Sequence, residues 1–319
     1  MKIAFIGVGG IAGNYRSSLK KLEYPIAAVC DIDRERAEQI AQEESATAYT
    51  DHKELLANEK PDVVFVCIPP GAHETQVADA AEAKAALFIA KPVALRMDTA
   101  RRALESIAKA GVINQVGYMA RYSDMTEKAR ELIGERKLAM AIGRFICRMS
   151  PSHPWWGKFA VSGGQMHEQT THVFDYLRYF LGEAEEVQAF GIRDVSDGIA
   201  DFEECTVCNL RFTGGAVGSI NSTCVSRGED NFSTEFIGDN FYLKAIMGSS
   251  LRGSVDGQEI DFKGEESGFF RQVEQFIAAI GSNDQGLVRS DYEDGLKTLA
   301  VTLAANRSLE TGKVENVTI

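Results

Sequence analysis

Short apolar runs alternate with amphipathic stretches along the first 120 residues. The runs fall at 2–6, 26–30, 63–68, 86–90 and 112–116. Helical spacing of apolar positions appears around 11–21, 33–43, 73–83 and 97–110. Apolar runs of this length with helices between them read as strands buried on both faces of a parallel sheet. Asp51 followed by Glu54 adds an N-terminal helix signal for a short helix through Ala57. The first half is therefore predicted to be an open, doubly wound Rossmann sheet.

The pattern changes after residue 120. A helix is predicted over 126–134. Strand-like runs follow at 141–149, 187–192, 206–212, 216–221, 233–237 and 241–245, with helices at 164–181, 269–280 and 292–310. Consecutive strands with few helices between them predict an α+β domain built on an open, mostly antiparallel sheet. At roughly 100–200 residues per domain, 319 residues divide into two, 1–120 and 121–319.

Charge narrows the partners. The 34 basic and 46 acidic residues leave a net charge of −12, and no Lys/Arg cluster stands out. Nucleic acid and anionic membrane surfaces are not expected partners. No apolar run approaches the ~18 residues needed to cross a bilayer. Lys2 before an apolar stretch imitates a secretion signal, but its glycines and its fit to a strand and turn favour a cytoplasmic protein. The six cysteines are scattered. Cys205 and Cys208 form C-x-x-C within a strand, where residues three apart face opposite sides, so a core role is read rather than zinc or redox chemistry.

The first β-α unit carries a candidate ligand site. In KIAFIGVGGIAGNY, Gly7, Gly9 and Ala12 fill G-x-G-x-x-G/A. Gly7 permits a tight turn, and Gly9 lets a pyrophosphate approach the backbone. Gly10 and Ile11 begin a helix whose N–H groups and partial positive charge suit phosphate. Asp31 stands 24 positions after Gly7, near the spacing of a ribose-binding acid. Such a carboxylate accepts from the ribose hydroxyls of NAD and repels the 2′-phosphate of NADP. It could instead cap the helix beginning near Asp33, and Arg34 is a candidate partner for a phosphate. Ile68, Pro69 and His73 follow the strand at 63–68, and Lys91 follows the strand at 86–90. Both groups are placed at carboxyl strand ends, where ligands bind in such sheets. For His73, a solvent-facing place in a helix's first turn is the competing reading.

In the second half, His167-Glu168 imitates H-E-x-x-H, but Thr171 stands where the second histidine belongs. His167 and His172 are about 140° apart around a helix, so zinc is rejected and no metal is expected. Glu168 and His172 are four apart. They read either as a carboxylate raising the basicity of a general base or as a simple surface pair. Trp155 and Trp156, in the loop 148–158, could wall a sugar or anchor the loop. Tyr118 and Arg121 are candidates for the pocket border.

These motifs in this order resemble the Gfo/Idh/MocA family of oxidoreductases. Its E-K-P motif corresponds here to Ala90-Lys91-Pro92, and its D-x-x-x-H motif to Glu168 through His172. Ala90 and Glu168 depart from the family's usual glutamate and aspartate. The resemblance covers essentially the whole chain. It implies NAD, with NADP as the second dinucleotide, and hydride transfer from a secondary hydroxyl of a sugar, polyol or derivative. It implies Lys91 and His172 as catalytic groups, with Glu168 orienting His172. It also implies a homodimer or homotetramer formed through the second sheet. A dinucleotide-binding regulator and an NAD-dependent glycosidase are the alternative readings.

Overall fold

In the computed structural model, residues 1–150, 153–196, 198–228 and 231–319 are described. They form two compact units. The first joins Met1–Tyr118 with Phe269–Leu296, and the second joins Met119–Gly268 with Lys297–Ile319. A single boundary near 120 does not describe this division, because the chain returns to the first unit.

The first unit runs β1 (Ile3–Ile6), α1 (Gly10–Lys21), β2 (Ile26–Cys30), α2 (Arg34–Glu44), β3 (Thr47–Tyr49), α3 (His52–Glu59), β4 (Val63–Val66), α4 (Gln76–Glu82), β5 (Ala86–Ile89), α5 (Met97–Ala110) and β6 (Asn114–Val116). All strands are parallel, in the order β3-β2-β1-β4-β5-β6. The order reverses between β1 and β4, which opens a crevice at the carboxyl strand ends. Strands β1, β4 and β5 are buried throughout, which is why they read as unbroken apolar runs. Helix α3 starts where its sequence signal predicts, with Asp51 Oδ1 accepting from the Lys53 N–H at 2.7 Å.

The second unit runs α6 (Asp124–Ile133), β7 (Leu138–Ile146), α7 (Phe159–Ser162), α8 (Gln165–Glu168), α9 (Thr171–Leu181), β8 (Ala184–Ile192), β9 (Cys205–Phe212), β10 (Val217–Thr223), β11 (Phe232–Gly238), β12 (Phe241–Ile246), β13 (Ser250–Val255) and β14 (Gln258–Lys263). Helix α10 (Phe269–Ser282) then belongs to the first unit. Helix α11 (Tyr292–Thr311) begins in the first unit and continues in the second, followed by β15 (Glu315–Asn316). The second sheet has the order β14-β13-β12-β11-β7-β10-β9-β8-β15 and is antiparallel except for the β7–β10 pair.

Helix α9 packs on β7 across Gly143. A Cβ on that glycine would lie 2.2 Å from Val173 Cγ1 and 3.3 Å from Leu177 Cδ1, so the close approach requires glycine. The opposite face of the sheet leaves Met140, Phe190, Val207, Val217 and Tyr242 exposed. Among the described residues, no helix is long and apolar enough to cross a membrane.

Candidate functional site

In the first unit the candidate residues gather at the carboxyl ends of β1, β2, β4 and β5. Gly7 turns the chain after β1 with φ +85°, and its N–H donates to the Cys30 carbonyl at 2.8 Å. A Cβ there would lie 2.4 Å from the Cys67 carbonyl oxygen and 2.7 Å from Ile68 Cγ2. The end of β4 therefore presses on the glycine turn, and only glycine fits. At Gly9 the opposite holds: a Cβ would meet no described atom within 4 Å. Gly9 is the N-cap of α1 with no side-chain cap, and the first turn of α1 contains no acid. The N–H groups of Gly10 and Ile11 thus open a helix whose start suits an anion.

Asp31 ends β2 and is buried, and its carboxylate is fastened to the glycine turn. Oδ2 accepts from the Val8 N–H at 3.0 Å, and Oδ1 accepts from the Asp33 N–H at 3.0 Å. The cap of α2 is Asp33, whose Oδ1 accepts from the Arg36 N–H at 3.2 Å. This removes the capping reading of Asp31. Arg34 points away into an exposed pair with Glu38 at 3.7 Å. The cation beside Asp31 is Arg36, with Nη1 3.3 and 3.4 Å from the two oxygens. Sequence reasoning missed Arg36. The signal was the Asp33/Arg36 spacing of three on a helix start, which faces the arginine back toward the strand end.

Pro69 and Ile68 are half-buried just past β4. His73 is buried rather than solvent-facing. Burial pushes its imidazole down to about 4, against a smaller upward pull from its hydrogen bond to the Ile68 backbone. Its Nε2 is buried with no partner among the described residues. Lys91 follows β5, half-buried, at the carboxyl edge that also carries Gly7, Asp31 and Ile68. Tyr118 ends the first stretch of this unit and is buried.

The second unit holds the other candidates. The helix predicted over 164–181 is broken: α8 ends at Glu168 and α9 begins at Thr171. Glu168 and His172 therefore stand on two helices, and the shared-face argument of one continuous helix does not carry over. The break is held by polar side chains. Thr170 Oγ1 lies 2.6 Å from Ser222 Oγ, and Gln165 Nε2 donates to that same hydroxyl at 3.2 Å. His172 is buried on an aromatic floor. Its ring lies 6.2 Å from Phe145 at 13° and 6.0 Å from Phe232 at 36°, two residues paired across β7 and β11. His167 faces elsewhere, with Nδ1 3.0 Å from Thr302 Oγ1 of α11.

Arg121 is buried in a two-point pair with Asp175. Nε donates to Oδ2 at 2.9 Å and Nη2 to Oδ1 at 2.6 Å, and the guanidinium also lies over Tyr179. This ties α9 down and uses the group structurally. Trp156 packs against a small cluster of Met149, Phe202 and Cys224, which supports the anchoring reading of that residue. Trp155 is half-buried in the same turn, and Pro151 and Ser152 of that loop lie outside the described residues. An open cavity of about 460 Å³ in this unit is lined by Arg130, Arg136, Lys137 and Tyr179 among others, and by none of the candidate residues. Its arginines serve the fold: Arg136 Nη1 donates to the carbonyls of Leu132 and Ile133 at the end of α6.

Residues 1–118 match the oxidoreductase family GFO_IDH_MocA, NAD-binding Rossmann fold, and residues 127–244 match the GFO/IDH/MocA C-terminal domain. The myo-inositol 2-dehydrogenase of Thermotoga maritima is 29% identical, over 97% of this chain and 96% of its own length. The D-xylose 1-dehydrogenase (NADP(+)) 2 of Haloferax volcanii is 23% identical, over 98% of each. The WlbA dehydrogenase from Bordetella pertussis, solved in complex with NADH and UDP-GlcNAcA, has the same fold. Its TM-score is 0.84 at 21% identity, covering 100% of this chain and 99% of that one.

Proposed function

The chain belongs to the Gfo/Idh/MocA oxidoreductase family, and from that premise we propose that it oxidises a secondary hydroxyl of a sugar, polyol or close derivative, with Lys91, His172 and Glu168 as its working groups. It is an NAD(P)-dependent oxidoreductase of CH–OH groups. The observation that carries the cofactor assignment is the hydrogen bond from the Val8 N–H to Asp31. It fastens the candidate ribose acid to the phosphate-binding turn, so one rigid element presents both. The open space over Gly9 and the uncapped start of α1 fit a pyrophosphate.

When bound, the dinucleotide supplies the hydride acceptor. His172 takes the proton from the substrate hydroxyl. Lys91 donates a hydrogen bond to the same oxygen and stabilises negative charge as it develops there. Glu168 takes the place of the carboxylate in the family's D-x-x-x-H motif, and its proposed role is to hold the imidazole in the accepting tautomer. Phe145 and Phe232 support this role by keeping the His172 ring on a dry, fixed floor. The enzyme is assigned to the cytoplasm and to a homodimer or homotetramer joined through the second sheet.

The test is a screen of sugars and polyols for NAD reduction, followed by His172→Ala and Lys91→Ala on any substrate found. Each substitution is expected to lower turnover by about 10²–10⁴ while leaving NADH affinity, read by nucleotide fluorescence, nearly unchanged. Near-normal turnover in both variants sinks the assignment of these groups.

A further inference from the structure

Two charges beside the candidate ribose acid stand outside the mechanism. Arg36 Nη1 spans both oxygens of Asp31 at 3.3 and 3.4 Å, and Arg36 Nη2 lies 3.1 Å from Asp33 Oδ2. One guanidinium is thus shared between two carboxylates. Asp31 is buried, whereas Arg36 and Asp33 are each nearly half exposed. The candidate ribose acid therefore has a solvent-facing cation against both of its oxygens, and that cation is restrained by a second, exposed acid.

We propose that Asp33 and Arg36 together set the preference of this site for NAD over NADP, with Asp33 holding away from the 2′ position the cation that lies beside Asp31 and could meet a phosphate there. The inference rests on the reading of Asp31 as the ribose acid. A hydroxyl at the 2′ position donates to Asp31 and asks nothing of Arg36. A 2′-phosphate is repelled by Asp31 and tolerated only to the extent that Arg36 turns toward it, which means leaving its two carboxylates. Arg34 does not compete for this role, since it is exposed and paired with Glu38.

Removing the cation and removing its restraint then have opposite consequences. Arg36→Ala deletes the phosphate partner and leaves Asp31 and Asp33 uncompensated, so the ratio of the NADPH to the NADH dissociation constant rises. Asp33→Asn keeps an oxygen to cap α2, because asparagine caps as well as aspartate, and it releases the guanidinium, so the ratio falls. Each change is expected to be about fivefold or more, the scale of one charge-assisted contact at a partly exposed site.

The experiment titrates the purified full chain and both variants with NADH and NADPH separately, following nucleotide fluorescence at two salt concentrations. Circular dichroism verifies folding. The expected result is a raised ratio in Arg36→Ala, a lowered ratio in Asp33→Asn, and a steeper salt dependence for NADPH in Asp33→Asn than in the parent. Equal shifts for the two nucleotides in Arg36→Ala, or an unchanged ratio in Asp33→Asn, overturn the proposal and leave the cofactor reading standing. Failure of Asp31→Ala to weaken NADH, or no binding of either nucleotide by the parent chain, overturns the underlying reading instead. Should Arg36→Ala fail to fold, the fall in ratio on Asp33→Asn decides alone.

Discussion

Gly7 and Gly9 are two residues apart and serve opposite purposes. At Gly7 the protein itself fills the space of a side chain, and φ is +85°. Gly7→Ala should therefore cost about 1–3 kcal/mol through strain and overpacking, seen as a lower unfolding midpoint without any ligand. Gly9→Ala meets nothing in the protein, so its midpoint should stay near that of the parent while NADH binding weakens. Equal loss of stability in both variants would contradict this division. His73 gives a second prediction at this scale. Its folded-state pKa lies near 4, below the ordinary 6.5, so the folded form resists protonation and the unfolded form does not. Its contribution to stability is present above about pH 6.5 and is lost as pH falls toward 4. His73→Gln should flatten that part of the acid limb in urea unfolding followed from pH 7 to 4, and an unchanged limb refutes it. The glycine fingerprint, the acid and the lysine were legible because turn chemistry is local. Arg36 was not, since its importance comes from where α2 returns its first turn.

Helix α9 shows what an element adds. Its place over the sheet depends on Gly143, a residue in a strand with no chemistry of its own. Gly143→Ala puts a carbon 2.2 Å from Val173 Cγ1, beside His172 in sequence. The substitution should cost about 1–3 kcal/mol and lower turnover with little change in NADH affinity. Stability lost with full turnover would place His172 outside the chemistry. The break between α8 and α9 was illegible for a related reason. The apolar spacing continues through it, and the contacts of Gln165 and Thr170 with Ser222 of β10 hold the break between the two helices. The hairpin of β13 and β14 was missed because its alternation is thin: SLRGSV and QEIDFK each carry only two apolar side chains on the inner face, Leu251 and Val255 and then Ile260 and Phe262, with Gly253 and Gln258 in the remaining places. Its turn was readable. Asp256-Gly257 has positive φ at both residues, 51° and 78°, and Asp-Gly is a strong signal for that turn. Strand β3 has three residues, too few for any periodicity to show.

Over the whole molecule, sequence order and spatial membership part company at α10. Its apolar stripe, Phe269, Val273, Phe276 and Ile277, was legible as a helix face, but a stripe does not name what covers it. Phe276 meets Phe65 and Phe88 edge-on at 5.9 and 5.4 Å, so the core of the first unit is completed by a segment that arrives 150 residues after the unit is left. The second unit leaves an apolar face uncovered. On its sheet, Val207 pairs with Phe190 and Met140 with Val217, which puts apolar side chains next to one another across the strands. Exposed apolar pairs of this kind suit burial against a second copy, as in the proposed homodimer or homotetramer. The double substitution Phe190→Glu, Val217→Glu places like charge on both pairs without touching the inner face. It should turn the proposed assembly into monomers in sedimentation at tens of micromolar, with the circular dichroism spectrum unchanged. The unfolding midpoint of the parent should rise with protein concentration and that of the variant should not, because only association couples stability to concentration. A parent chain that sediments as a monomer at the same concentration removes the face from consideration as an interface between copies.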